Sequence, residues 1–266
     1  VTGYFKYFAN KRIQLFGAGE MAFFREQSDA RRRSVIESMV AKRIPCVVVS
    51  RSLAPTPEMI EILEAAGVPL FRTPLSSKAF TTEVTVLLEE RFAPRTSLHG
   101  TLLEIRGVGT LIRGESGAGK SEAALALIER GHSLVADDLV KVKLLSDHTP
   151  IGFCDPLSRG FMECRGIGII NVEKLFGNRF VRIEKKIDLV VTLIDENSNV
   201  EPERTGLSRK YFEILGFDVP HMEIPVRTGR DMARLIEVAA MVQAARQFGY
   251  DSADDLNKKL LRQMNP

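Results

Sequence analysis

The chain has 266 residues, room for one large domain or two ordinary ones, and 44% of them are hydrophobic, enough for a sizeable core. Its 37 basic and 34 acidic residues leave a net charge of +3, too small by itself to argue for nucleic acid or an anionic membrane surface. There is no apolar run of about 18 residues, so no membrane span is expected.

Cys46, Cys154 and Cys164 are odd in number and share no metal-ligand spacing; with no signal peptide visible they fit a reducing cytoplasm. The chain starts at Val1, without an initiator Met, and an N-terminal piece is expected to be missing. The basic cluster Arg31-Arg32-Arg33 reads as a solvated helix face or turn.

From residue 44 the pattern alternates. "IPCVVVS" (44–50) predicts a short strand, and "TPEMIEILEAAG" (56–67) a helix with Thr56 as N-cap, Pro57 at the first position and Gly67 as its stop. "VPLFRT" (68–73) predicts a second strand and residues 76–92 a second helix, which makes a βαβα unit with part of its sheet parallel. "APRTSLHG" (93–100) reads as a linker. This divides the chain into an N-terminal α/β domain, 1–93, and a second domain, 94–266.

Residues 100–114 read as two strands joined by a Gly107-Val108-Gly109 turn. A helix follows over 121–130, then strands at "HSLVA" (132–136), about 139–145 and about 188–194. A late helix is predicted over about 231–248, with Leu235, Ala239 and Val242 on one face.

"GESGAGKSE" (114–122) satisfies G-x-x-x-x-G-K-S/T between a strand and a helix. Glycines let successive N–H groups turn toward phosphate oxygens, and the following helix adds its positive end. Gly114, Glu115, Ser116, Gly117, Ala118, Gly119, Lys120 and Ser121 are therefore expected to hold a nucleoside triphosphate, with Lys120 on its β and γ phosphates and the Ser121 hydroxyl toward Mg²⁺. Asp137-Asp138 ends the strand after the phosphate-loop helix. In a parallel βαβ unit that strand returns beside the first, which brings the acids near the phosphates. One of them can then act as a base toward an attacking hydroxyl.

In "MECRGIGIINV" (162–172), Glu163 and Arg165 are two apart and point the same way in extended chain. They fit a metal-and-phosphate site as well as a surface salt bridge. His99 reads as an ordinary core or surface histidine, and Arg204 as an ordinary solvated charge. Arg227 and Arg230, in a "PVRTGR" turn before a helix, fit solvated charges or an anion site.

"LHG", "GESGAGKSE", "VADDLV", "ECRGIGIINV" and "IPVRTGRDMARLIEVAAM" stand in the order and near the spacing of bacterial HPr kinase/phosphorylase, and the chain resembles that family over residues 98 to about 250. The N-terminal "TGYFKYFANKRIQLFG" resembles the family's N-terminal domain. The resemblance implies an α/β fold, an N-terminal α/β domain plus a C-terminal phosphate-loop kinase domain related to phosphoenolpyruvate carboxykinase. It implies phosphorylation of a serine of HPr with ATP or pyrophosphate, and removal of that phosphate by phosphorolysis to pyrophosphate.

Carried over, His99, Lys120, Asp137, Asp138 and Arg204 resemble the catalytic set, with Asp138 as the proton acceptor, and Ser121 and Glu163 the Mg²⁺ ligands. Residues 162–171 match the region that serves both reactions, and Pro225, Val226, Arg227, Thr228, Gly229 and Arg230 the region tied to phosphorolysis. A homohexamer built on the C-terminal domain is implied, with HPr as partner. Cys164 stands where the family more often has an aliphatic residue. The competing readings are a phosphate-loop kinase of a small metabolite and a nucleotide-binding regulatory module without catalysis.

Overall fold

The computed structural model describes residues 5–195, 206–227 and 229–264. The chain forms two compact units, divided between Arg91 and Phe92. Among the described residues no helix is long and apolar enough to cross a membrane.

The first unit runs β1 (Gln14–Phe16), α1 (Ala18–Glu26), α2 (Asp29–Ala41), β2 (Val47–Val49), α3 (Pro57–Ala65), β3 (Leu70–Arg72) and α4 (Ser77–Phe92). The strands pair in the order β1-β2-β3, all parallel. The three valines of β2 are buried, as befits a central parallel strand covered on both faces. Phe16, Met21, Phe24, Ile36, Met39, Met59 and Leu63 join Val47 and Val49 in one core. The parallel alternation expected over 44–92 is present, and β1, α1 and α2 precede it. Thr56 sits at the N-cap of α3, but its hydroxyl makes no capping bond.

The arginine cluster lies on α2 and is not simply a solvated face. Arg32 Nη2 lies 2.6 Å from Asp29 Oδ1 and 2.7 Å from Glu58 Oε1, and the Glu58 side chain is 8% exposed. Arg33 pairs with Glu61. Two arginines thus tie α2 to α3.

The second unit begins with β4 (Arg95–His99), β5 (Thr101–Ile105), β6 (Val108–Gly114), α5 (Lys120–Glu129), β7 (Ser133–Ala136), β8 (Leu139–Leu144) and β9 (Pro150–Phe153). It continues through β10 (Phe161–Cys164), β11 (Gly168–Asn171), α6 (Val172–Phe176), β12 (Glu184–Lys186) and β13 (Leu189–Asp195). β14 (Lys210–Ile214), β15 (Phe217–Val226), α7 (Met232–Gln247) and α8 (Ser252–Met264) complete it. One sheet has the order β14-β15-β13-β6-β5-β7, another β12-β9-β8-β4, and β10 and β11 form a hairpin.

Side chains alternate across the six-stranded sheet. Leu103, Ile105, Ile112, Val191 and Leu193 share a core with Leu127 of α5 and Ile236 of α7. Leu102, Leu111 and Val190 pack on the other side with Val140 and Val142 of the four-stranded sheet.

Four expectations change. Residues 95–99 are not a linker but an edge strand, paired antiparallel with β8. Their polarity belongs to the outer face of that strand, where Arg95, Ser97 and His99 are exposed while Thr96 and Leu98 are half-buried. The turn between β5 and β6 is Arg106-Gly107, both at positive φ, as a two-residue hairpin with matching twist requires. β7 does not return beside β6, because the hairpin partner β5 takes that edge and β13 takes the other. The buried face of α7 is Ala233, Ile236, Ala240 and Gln243, with Ala239, whereas Leu235 and Val242 are only half-buried. Small residues at 233 and 240 let the helix approach its neighbours closely, and hydrophobicity alone ranks Leu235 above them.

Two strands cross between the sheets side by side. β4 continues into β5 through Gly100, and β7 into β8 through Asp137-Asp138. The Gly100 N–H donates to the Asp138 carbonyl at 3.0 Å and ties the crossings together. Next to them, Leu102 opposes Ala136 while Leu103 opposes Leu134, so Val135 is the extra residue of a β-bulge. Bulges of this kind bend a strand and re-aim its side chains.

The Arg32 hydrogen bond holds the Glu58 carboxyl down at about 2, against an ordinary 4.5, with burial opposing the shift. A depressed carboxyl stabilises the fold above its unfolded value and loses that contribution as pH falls from 4.5 through about 2. Glu58→Gln is expected to lower the unfolding midpoint of the first unit at neutral pH by several degrees. It should also flatten the loss of stability across that acid window, as thermal unfolding over a pH series would record.

Candidate active site

The site begins where β6 ends. Gly114 has φ +152°, and a Cβ there would stand 2.8 Å from the Leu193 carbonyl oxygen of the neighbouring strand, so only glycine fits. Gly119, at φ +83°, caps α5 in the left-handed region and turns the chain into the helix. Between them the loop curls around Lys120, whose Nζ donates to the carbonyls of Gly114 at 3.0 Å and Glu115 at 2.9 Å. An ammonium group, the positive end of α5 and a turn of main chain thus meet at one point.

The two adjacent acids have different environments. Asp137 is held from two sides: Oδ1 accepts the Thr101 hydroxyl at 2.8 Å and Oδ2 accepts the Glu163 N–H at 3.1 Å. Asp138 is exposed, adopts φ +60°, and its carboxylate has no hydrogen-bond or ion-pair partner among the described residues. Aspartate tolerates the left-handed region better than most residues, at a cost that the crossing imposes.

Glu163 lies on β10, and Arg165 in the turn beyond it, where Nη2 donates to Ser116 Oγ at 3.4 Å. Both line a cavity of about 210 Å³ together with Lys120, Ser121, Asp137 and Asp138. Glu163 and Arg165 do not pair with each other among the described residues: the Arg165 guanidinium reaches Ser116, and Glu163 is engaged through its main-chain N–H while its carboxylate faces the cavity. Cys164, on the opposite face of β10, is buried, and its thiol is pushed up by burial and then by the Asp137 and Glu122 carboxylates. All three cysteines are free.

A larger cavity of about 620 Å³ opens on the other flank of the loop, lined by His99, Arg113, residues 114–118, the end of β13 and Val226. Ser116 and Gly117 line both spaces, so the loop forms the wall between them. His99 therefore does not join the acids in the smaller cavity. Pro225 and Val226 are strand residues at the end of β15, in register with Ile194 and Asp195.

The turn begins at Arg227, whose carbonyl accepts the Arg230 N–H at 3.1 Å. The helix after it is not an open anion site. Asp231 caps α7 by accepting the Arg234 N–H at 3.0 Å, and pairs with Arg130 at 2.6 Å. Any anion held there would depend on the arginines. Arg204 and Thr228 lie outside the described residues.

Sequence reasoning passed over Thr101, Thr192 and Asp195, all of which line one of these cavities. Their only signal was position, one residue past Gly100 and at the end of an apolar strand. The donors around the smaller cavity fit Mg²⁺: a hydroxyl and carboxylates are hard oxygen ligands. Among the described residues no group of three or more His, Cys, Asp or Glu is placed to hold a metal alone. A cation completed by phosphate oxygens suits that set.

Fold and site together define a mixed α/β protein of two units, with a glycine loop, a lysine and paired acids gathered at one end of its larger sheet. Residues 1–88 match the family described as HPr Serine kinase N terminus, and residues 90–260 that described as HPr Serine kinase C-terminal domain. The chain is 42% identical over 265 residues to the HPr kinase/phosphorylase of Caldicellulosiruptor bescii, covering 100% of this chain and 85% of that protein. It is 38% identical over 260 residues to the HPr kinase/phosphorylase of Bacillus subtilis, covering 98% and 84%. A solved structure, the Hpr(Ser) kinase/phosphatase from Coxiella burnetii, superposes with a TM-score of 0.55 at 34% identity, over 60% of this chain and 98% of that one. The chain belongs to the HPr serine kinase family.

Lys120→Ala removes the one ammonium group inside the loop. Removal of a preorganised charge of this kind costs about 10²- to 10³-fold in rate. The variant should keep its fold and lose transfer to that extent, measured with labelled ATP; near-normal turnover would contradict the assignment of the loop.

Proposed function

We propose that this chain phosphorylates a serine of the phosphocarrier protein HPr with ATP and reverses that transfer by phosphorolysis, with inorganic phosphate as acceptor and pyrophosphate as product; pyrophosphate also serves as donor. The names of its relatives support the reaction, and one observation carries it to residues: Lys120, Ser121, Asp138 and Glu163 line one small cavity at the mouth of the glycine loop. On this reading residues 114–121 are a phosphate loop, in a catalytic domain over 94–266 related to phosphoenolpyruvate carboxykinase, with an α/β domain over 1–93 before it. Assembly as a homohexamer and a cytoplasmic setting belong to the same reading, on the strength of the sequence resemblance.

The geometry supports the following roles. The main chain of the loop and Lys120 hold the phosphates of the donor. Asp138, exposed and unpartnered among the described residues, takes the proton of the serine hydroxyl as its oxygen attacks. In the reverse direction the same acid returns a proton to the departing serine oxygen, as microscopic reversibility demands. Asp137 has both oxygens engaged and orients its neighbours. Ser121 and Glu163 would hold Mg²⁺, which when bound neutralises charge on the transferred phosphoryl group. His99 acts from the larger cavity, and Arg227 and Arg230, in the turn that follows its lining residue Val226, steady inorganic phosphate. The test is incubation of purified protein with HPr, ATP and Mg²⁺, then with excess phosphate. Label must move to HPr and leave as pyrophosphate; transfer to a small metabolite in place of HPr would favour the metabolite kinase.

Asp138→Asn keeps the shape but cannot accept a proton, so ATP binding should persist while transfer is lost. Asp137→Asn can keep both of its contacts, its amide donating to the Thr101 hydroxyl and its oxygen accepting from Glu163, and should lose less. The reverse ranking in single-turnover transfer would exchange the two roles.

Arg227→Ala and Arg230→Ala should harm phosphorolysis more than the kinase direction. The ATP phosphates are anchored by residues 114–121, whereas free phosphate depends on local charge for its position. The expected signature is a raised apparent KM for phosphate. Equal losses in both directions with unchanged phosphate dependence would make these arginines structural.

A further inference from the structure

We propose that Thr101 is a positioning residue for phosphoryl transfer, acting through Asp137 on Glu163; the proposal rests on the kinase and phosphorylase reading of the same cavity. Thr101 is the first residue of β5 and only 1% exposed, yet it reaches the edge of the cavity that holds the acids. A buried hydroxyl has to find a partner. This one donates to Asp137 Oδ1 at 2.8 Å, while Asp137 Oδ2 accepts the Glu163 N–H at 3.1 Å.

The carboxylate is therefore a strut between two separate pieces of structure, the six-stranded sheet and the β10–β11 hairpin. Both bonds end on an ionised acceptor, the stronger kind of hydrogen bond. Among the described residues β10 pairs with β11 alone, and the Asp137 bond ties its main chain to the larger sheet. Where that main chain sits decides where the Glu163 carboxylate sits relative to Ser121. The strut also fixes Asp137 while its neighbour Asp138 holds a left-handed conformation, so the rotation of the acid pair is set from the Thr101 side. Thr101 touches neither substrate nor metal on this account.

Valine has nearly the volume of threonine, so Thr101→Val removes the hydroxyl and leaves Asp137 Oδ1 without that donor. Thr101→Ser keeps the hydroxyl and drops the methyl. Loss of a bond that orients a ligand residue typically costs roughly 10- to 100-fold in activity or metal affinity. Thr101→Val is expected to lose kinase kcat on that scale with ATP affinity unchanged, and to need more Mg²⁺. Its Glu163 amide should exchange hydrogen faster by roughly 10- to 100-fold, since loss of a bond to a charged acceptor is worth about that factor. Thr101→Ser should restore both.

Wild-type exchange in Thr101→Val overturns the strut, however the activity falls. Equal impairment of Thr101→Ser and Thr101→Val overturns it too, because the methyl and not the hydroxyl would then matter. If Thr101→Val melts far below the wild type, Thr101→Ala, which lacks the hydroxyl without a second methyl, carries the same expectations. Absence of transfer to HPr by the wild type would overturn the functional reading instead, and the exchange comparison separates that failure from failure of the strut.

Discussion

The second unit depends on the place where two strands pass from one sheet to the other side by side. Gly100 carries β4 into β5 and Asp137-Asp138 carries β7 into β8, and one hydrogen bond between them, Gly100 N–H to Asp138 carbonyl, holds the corner. Sheets that meet at an angle make such corners with bends or bulges, and the bulge at Val135 is the local adjustment here. The corner brings Thr101, Asp137 and Asp138 together and leaves His99 on the other flank of the loop, although the two segments are more than thirty residues apart in the chain. An open sheet joined by loops would leave those groups on flexible connections. Rigid placement matters for catalysis because small misplacements are costly in rate.

The glycine loop sets the other half of the site. It leaves β6 beside Leu193, too close for any side chain at 114, and re-enters as α5. Its outer turn separates the cavity with the acids from the larger one with His99 and the end of β15. The loop is thus open on two sides. One side offers Asp138, Glu163 and the Ser121 hydroxyl. The other offers the strand ends that lead to Arg227 and Arg230.

The loop was readable in the sequence because its backbone angles demand glycine at fixed spacing and its chemistry demands Lys120. β2, α3, β3 and α4 were readable because valine runs, Pro57 and hydrophobic alternation act locally. β4 was not, since the outer face of an edge strand has the composition of a linker. The buried face of α7 was missed because alanine packs there by being small. α2 was hidden by Arg32 and Arg33, whose partners Glu58 and Glu61 are a whole strand and turn away in the chain. The neighbour of β7 depended on a hairpin claiming one edge of β6, which is a question of topology. Asp137 and Asp138 are identical as letters. What distinguishes them is a threonine from one strand and a main-chain N–H from another, and neither is visible until the chain is folded.

The corner also limits how the chain can drift over time. Along β4–β5 and β7–β8 the alternation of faces is fixed on both sides of each crossing, and the crossings are locked opposite one another. A single inserted or deleted residue in either strand would turn every later side chain to the wrong face. Leu102 would leave its core, and Thr101 would no longer meet Asp137. These segments can change their letters but not their length, so homologous chains should align through 95–105 and 133–144 without gaps.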